Sequence, residues 1–220
     1  MTRPPTPYLA LGFYDDALAK GRHRDIVGGR WDETARAEMR VLRDAGLKPH
    51  HRLLDIGCGC LRLGHLAVPY LDAGNYWGTD ASAALMRRGW EVELDDMARA
   101  RLPPLQLVED AVFAFPGIPE TIDMAIAFAV FTHLPPPALD TCLASLHARF
   151  PNLTAVLFTV FEGEGPALRQ PDGVVTHPDR APWHRPASEV EAAVRAAGFA
   201  PERRGDVLPR GQRLWIARPK

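Results

Sequence analysis

The sequence predicts an α/β fold whose mainly parallel sheet is covered by helices on both faces. Three observations carry this reading. Short apolar runs alternate with longer amphipathic segments, glycine and proline punctuate the junctions, and polar or glycine-rich clusters recur where the apolar runs end. At 220 residues the chain suits one such domain with a modest extension. Its 46% hydrophobic content is enough to bury a core and excludes wholesale disorder.

The elements follow in order. In residues 1–30, Tyr8, Leu9, Leu11, Phe13, Tyr14 and Leu18 have a spacing compatible with a short helix, until Gly21, Gly28 and Gly29 interrupt it. Residues 31–46 read as a helix with Ala35, Met39, Val41 and Leu42 on its apolar side and Gly46 as its stop. Residues 52–56 form a short buried-strand pattern that runs into glycines, and 63–70 read as the next helix. A second strand is expected at 76–80, then one long helix over 81–101 with Asp80 or Ser82 as its cap. Strands at 105–108, 123–128 and 154–161, helices at 137–150 and 189–197, and a final strand at 213–217 complete the pattern. The last two strands suit an antiparallel edge. Ligands of such sheets bind beyond the carboxyl ends of the strands, near the point where the strand order reverses.

Composition narrows the function. The longest apolar run, 124–131, is eight residues, whereas a membrane-spanning helix needs about 20. Met1-Thr2-Arg3-Pro4-Pro5 lacks the apolar stretch of a signal peptide, so a cytoplasmic protein is expected. Cys58, Cys60 and Cys142 make no disulfide framework. Cys58 and Cys60 have no second pair to complete a zinc site, so they read as small residues filling a tight turn, and no metal is expected. A net charge of −1 argues against an extended nucleic-acid surface. Residues 177–220 are nevertheless basic overall, which suits either an acidic substrate or a solvated face.

The densest signal is Leu53-Leu54-Asp55-Ile56-Gly57-Cys58-Gly59-Cys60-Leu61-Arg62-Leu63-Gly64, a strand that enters a glycine turn and leaves as a helix. Glycines there permit unusual backbone angles and the close approach of a ligand. A dinucleotide fingerprint requires a third glycine where Arg62 stands, and a phosphate-binding P-loop requires Lys-Ser/Thr where His65-Leu66 follows Gly64. What remains is Asp-x-Gly-x-Gly after an apolar strand.

That pattern resembles motif I of the class I S-adenosylmethionine (SAM)-dependent methyltransferases. The resemblance implies a Rossmann-like, seven-stranded, mostly parallel sheet, with an N-terminal helical lid over residues 1–48 and a SAM-binding domain over 49–220. It places Asp55, Gly57, Cys58 and Gly59 against the methionine part of the cofactor. Asp80, 25 residues after Asp55 at the end of the second strand, matches the family's ribose-binding acid, with Ala81 beside it; a carboxylate suits a vicinal diol because it accepts two hydrogen bonds. Asp110-Ala111 falls where the family contacts adenine, with Glu109 as a neighbouring competitor and a capping role as the alternative for Asp110. Residues 127–134 resemble the fourth-strand motif, with Phe128 and Ala129 lining the pocket and His133 as candidate general base or loop support.

On the substrate side, residues 23–33 resemble a stretch that precedes motif I in a bacterial subset of the family, where N-terminal helices cover the cofactor. His23, Arg24 and Trp31 are the candidates there, with Trp31 as a helix anchor the alternative. His184, in the proline-rich loop Trp183-His184-Arg185, is the other candidate substrate wall. The asparagine-proline-proline-aromatic signature of amino methylation on nucleic acids is replaced by Ala129-Val130-Phe131-Thr132. The resemblance thus implies methyl transfer from SAM to an oxygen or nitrogen of a small molecule. A SAM-using cyclase or lyase and a non-catalytic SAM-binding module are the rival readings. A small-molecule methyl acceptor is the expected partner, without membrane or nucleic acid, and a homodimer is compatible with the sequence.

Overall fold

The computed structural model describes residues 6–10, 12–205 and 208–220. The N-terminal pentapeptide and Leu11 lie outside the described residues. The chain begins with a 3-10 turn, Pro7–Leu9, and two short helices, α1 (Asp15–Ala19) and α2 (His23–Ile26), followed by α3 (Trp31–Asp44). Asp32 and Glu33 sit in the first turn of α3, where the helix dipole favours acids. The helix ends as the sequence reading expects. Gly46 adopts φ 107°, its N–H bonds the Arg43 carbonyl, and the Leu47 N–H bonds the Leu42 carbonyl at 2.9 Å, which together make a Schellman stop.

The sheet follows: β1 (Leu53–Ile56), α4 (Gly64–Tyr70), β2 (Tyr76–Asp80), α5 (Ala83–Val92), α6 (Asp96–Arg101), β3 (Leu107–Glu109), β4 (Met124–Ala127), α7 (Pro137–Arg149) and β5 (Ala155–Glu162). A small hairpin, β6 (Leu168–Arg169) and β7 (Val175–Thr176), precedes β8 (His184–Arg185), α8 (Ala187–Ala196), β9 (Phe199–Arg203) and β10 (Arg213–Pro219). The strand order is β3-β2-β1-β4-β5-β10-β9, with β8 added beside β5. Strands β1 to β5 are mutually parallel, and β10 runs antiparallel to both β5 and β9.

Side chains alternate across the strands, so each strand feeds two cores. Leu53, Met124, Ile126, Leu157 and Ile216 pack beneath α3, α4, α5 and α6. Leu54, Ile56, Ala125, Val156, Phe158 and Trp215 pack beneath α7 and α8. This is a doubly covered Rossmann-like sheet. Val41, Leu42 and Leu47 belong to the first core, so α3 is part of the body and only the shorter helices before it form a cover. No helix among the described residues is long and apolar enough to cross a membrane.

Two local expectations are corrected and one alternative is decided. The helix expected over 81–101 is broken, because the Asp95 side chain accepts from the Ala98 N–H at 2.8 Å and starts α6 afresh. Of the two candidate caps, Ser82 accepts from the Leu85 N–H, while Asp80 accepts from Ser82 itself. The third strand begins later than expected, since Pro104–Gln106 forms a 3-10 turn and the Gln106 amide reaches back to the Gly74 carbonyl. β6, β7, β8 and β9 were not foreseen; the first three are two-residue pairings that no periodicity reveals.

Between β1 and β4 the chain reverses direction across the sheet, which makes their carboxyl ends the switch point. Helix α5 presses on the turn that leaves β1: a Cβ at Gly89 would stand 2.3 Å from the Cys60 carbonyl oxygen. Helix propensity alone predicts that Gly89→Ala stabilises by ~1 kcal/mol, whereas this contact predicts a net loss of ~1–3 kcal/mol by overpacking. A lowered urea midpoint is expected; a raised one would contradict the packing.

Candidate active site

A cavity of about 150 Å³ opens over the carboxyl ends of the parallel strands. Its floor is the turn after β1. Gly57 and Gly59 adopt φ of 71° and 56°, and a Cβ at these positions would stand 2.5 Å from Val130 Cγ2 and 3.0 Å from Val27 Cγ1. Glycine is therefore required both for the turn and for the clearance above it. The turn's N–H groups are already engaged. Gly57 and Cys58 donate to the Thr79 carbonyl at 2.7 and 3.0 Å, and Gly59 donates to Asp80 Oδ2 at 3.0 Å. A phosphate cradle needs such donors free, so these three N–H groups are not available to a pyrophosphate.

The structure brings together Asp55, Gly57, Cys58, Gly59, Asp80, Ala81, Asp110, Ala111, Phe128 and His133, all of which line this cavity. Asp80 is 9% exposed; burial pushes its carboxyl up to about 6, against the pull of its backbone hydrogen bonds. Both oxygens of Asp110 accept backbone N–H groups, from Val112 at 2.9 Å and Phe115 at 2.7 Å, so it braces the loop after β3, where no helix starts for it to cap, and it also lines the cavity. Glu109 is exposed and outside the cavity lining. The β4 exit is shaped by Ala129, at φ 61°, whose N–H bonds Thr159 Oγ1 at 2.7 Å. Thr132 Oγ1 returns a bond to the Ala129 carbonyl, and the His133 N–H bonds the Val130 carbonyl. This tight corner points His133 at the cavity, against the ring of Tyr8 at 4.6 Å. Burial, then the charges of Arg210 and Arg62, push the His133 imidazole down to about 4.

Among the lining residues that the sequence does not single out are Glu38, Tyr8 and Tyr14. Arg62, noted there only for excluding other motifs, lines it as well. Glu38 had a readable signal, as an acid in the apolar stripe with Ala35 and Leu42. It is 2% exposed, and its Oε1 accepts from Arg62 Nη2 at 2.9 Å and Nε at 3.2 Å, while Oε2 has no partner among the described residues. Asp55 lies in the same patch, accepting from Tyr76 Oη at 2.6 Å; burial, then the charge of Glu38, raise its carboxyl to about 7. Two buried acids thus share one guanidinium.

The substrate-side expectations need correction. The N-terminal helices do cover the cavity, but Tyr8, Tyr14, Ile26 and Val27 face it rather than His23, Arg24 or Trp31. His23 Nε2 and the Arg24 guanidinium are both tied to Glu93 on the α5 side, with contacts of 2.6 to 2.8 Å. Trp31 is the helix anchor, stacked on His65 and packed with Cys60 and Leu85 beneath the Arg24 guanidinium. His184 is 2% exposed and outside the cavity; its Nδ1 meets Thr176 Oγ1 at 2.9 Å and its Nε2 meets the Gly165 carbonyl at 3.0 Å. One ring nitrogen meets β7 and the other the loop before β6, so His184 ties these segments to β8 and stands outside the lining of this cavity.

A Rossmann-like sheet, a switch-point cavity, a glycine turn without a phosphate cradle and an acid at the end of β2 together define the class: this is the fold of the class I SAM-dependent methyltransferases. No known family model matches the sequence. Among solved structures, the chain is similar to magnesium protoporphyrin IX methyltransferase from Synechocystis PCC 6803 with bound SAM, at TM-score 0.70 and 15% identity over 100% of both chains. It is also similar to a TehB-like SAM-dependent methyltransferase from Corynebacterium glutamicum, at TM-score 0.59 and 16% identity over 96% of this chain and 100% of that one. A glycopeptide N-methyltransferase complexed with S-adenosylhomocysteine matches at TM-score 0.60 and 13% identity over 84% of this chain and 86% of that one.

The shared guanidinium gives a thermodynamic test. Arg62→Met leaves Glu38 buried without its cation and is expected to cost ~3–5 kcal/mol. Adding Glu38→Gln to that variant removes the stranded charge and restores part of the loss. Urea unfolding of the single and double variants measures this; strictly additive losses would contradict the pairing.

Proposed function

We propose that the protein is an enzyme that transfers a methyl group from SAM to an oxygen or nitrogen of a small molecule. The observation that carries the reading is the glycine turn itself. Its N–H groups are spent on Thr79 and Asp80, yet Gly57 and Gly59 leave room above it and Asp80 stands beside it. The site is suited to a ligand without phosphate that offers hydroxyls and positive charge.

The residues present fit that cofactor. Asp80 suits the ribose diol, because an ionised carboxylate accepts two hydrogen bonds. Glu38 Oε2 is a buried acceptor with no partner among the described residues, and together with Asp55 it gives the turn end of the cavity a surplus of negative charge. An ammonium group relieves that surplus. Ala111, Phe113 and Phe128 supply apolar walls for a purine. When bound, SAM supplies a sulfonium methyl that is already a reactive donor. The protein's task is then alignment of donor and acceptor and exclusion of water, which the cover over Tyr8, Tyr14, Ile26 and Val27 serves.

Calorimetry with SAM and S-adenosylhomocysteine tests this, and the expected result is saturable binding of both. Because burial raises Asp80 to about 6, the acceptor carboxylate is ionised above that pH and is lost as pH falls through it. Affinity is therefore flat in mild alkali and declines as pH falls through about 7, where Asp55 takes up a proton, and further through about 6, where Asp80 does; Asp80→Asn weakens binding and removes the lower part of the decline. Binding of neither ligand would overturn the proposal; a decline near pH 6 retained in Asp80→Asn would remove Asp80 from the ribose role.

A further inference from the structure

We propose that a second pocket, separate from the cavity over the glycine turn, binds a small zwitterion of the α-amino acid class. The inference does not rest on the methyl-transfer reading.

This pocket has a volume of about 330 Å³ and lies where β5 ends, beside the turn of the β6–β7 hairpin and the start of α8. β10 begins next to the last residues of β5, so the pocket sits at the same end of the sheet as the first cavity. Among the described residues the two share no lining residue. The hairpin closes down on β5 because Gly163 has no side chain; a Cβ there would strike Leu168.

Two buried glutamines carry the inference. Gln212 is 3% exposed and Gln170 is 8% exposed, and each has one end of its amide fixed. Thr159 Oγ1 accepts the Ala129 N–H, so its own proton goes to Gln212 Oε1 at 2.5 Å. The Gln212 nitrogen is left without a partner among the described residues. Gln170 Nε2 donates to Thr176 Oγ1 at 3.0 Å and to the Glu162 carbonyl at 3.4 Å. A carbonyl only accepts, so it is the nitrogen that faces Glu162. Gln170 Oε1 is then the end without a partner among the described residues. Both side chains line the pocket, which therefore meets one fixed donor and one fixed acceptor. Leaving buried amide groups unmade is costly, and neither glutamine lines the first cavity.

Groups of both charges line the same pocket. Arg213 is half-buried, and no carboxylate is paired with it among the described residues. Ala187, the first residue of α8, lines the pocket too. Pro186 offers no side-chain cap, and the N–H groups of Ala187 and Ser188 have no partner among the described residues. These donors and the Gln212 amide suit a carboxylate. Of the two acids at the end of β5, Glu162 is already held by Arg203 and the Trp215 indole, at 2.6 to 3.0 Å. Glu164 is exposed and unpaired among the described residues, and with Gln170 Oε1 it suits an ammonium. A lone anion would meet Glu164, and a lone cation would meet Arg213. A molecule that carries both charges satisfies both, and Pro171, Pro186 and Ala187 offer an apolar wall to a short aliphatic side chain.

The test titrates L-alanine, L-valine and L-leucine into the protein by calorimetry, each beside its N-acetyl derivative and its primary amide. It is run on the free protein and on protein saturated with S-adenosylhomocysteine, which competes for the cavity over the glycine turn. Saturable binding of at least one amino acid is expected, with the same affinity in both states. Acetylation removes the ammonium and amidation removes the carboxylate, and each is expected to weaken binding about tenfold or more. Arg213→Met is expected to weaken it about tenfold or more and Glu164→Gln several-fold, both with unchanged S-adenosylhomocysteine affinity. Neither side chain is buried, so the urea midpoints of both variants are expected to stay near that of the wild type. Equal binding of the N-acetyl derivative would show a plain anion site and overturn the proposal. Displacement of the amino acid by S-adenosylhomocysteine would place it in the first cavity and overturn it as well. So would binding of none of the three amino acids, or binding that Arg213→Met leaves unchanged. None of these results bears on methyl transfer.

Discussion

The buried guanidinium of Arg62 holds the site together. It donates to Glu38 on α3 and to the Val27 carbonyl of the cover at 2.7 Å, and it leaves the backbone directly after the glycine turn. One side chain thus links the body, the turn and the cover. Arg62 also stands where a dinucleotide-binding turn keeps a glycine. A side chain at that position forfeits the close helix approach that pyrophosphate needs and, in exchange, anchors the cover. The residue that excludes one ligand class therefore helps build the site for another.

Charge is distributed unevenly around this link. Arg62 offsets one acid while Glu38, Asp55 and Asp80 all face the cavity, and burial raises all three carboxyls above the usual range. Such a site is electrostatically unfinished in the free protein, and a cationic ligand completes it. Perturbed acids of this kind concentrate at functional sites.

Much of this was legible in the sequence because it is local. The glycine turn, Asp80, Asp110 and His133 lie at the ends of strands whose apolar runs are unmistakable, and strand ends of a parallel sheet converge at the switch point. What escaped depends on long-range packing. His23 and Arg24 look like free polar groups until Glu93, 70 and 69 residues away, claims both. His184 looks like a loop histidine until the β6–β7 hairpin folds over it. Tyr8 and Tyr14 look like ordinary amphipathic spacing, since nothing in the sequence says which body the helix covers. The break at Asp95 is a single capping residue set inside a helical pattern that continues on either side.

The most direct measurement is a crystal structure of the protein with S-adenosylhomocysteine. The predicted result is a ligand lying across Gly57 to Gly59, with its ribose hydroxyls on Asp80, its ammonium toward Glu38 and Asp55, and its sulfur open toward His133 and Tyr8. A ligand bound outside this cavity, or one whose ribose ignores Asp80, would contradict it.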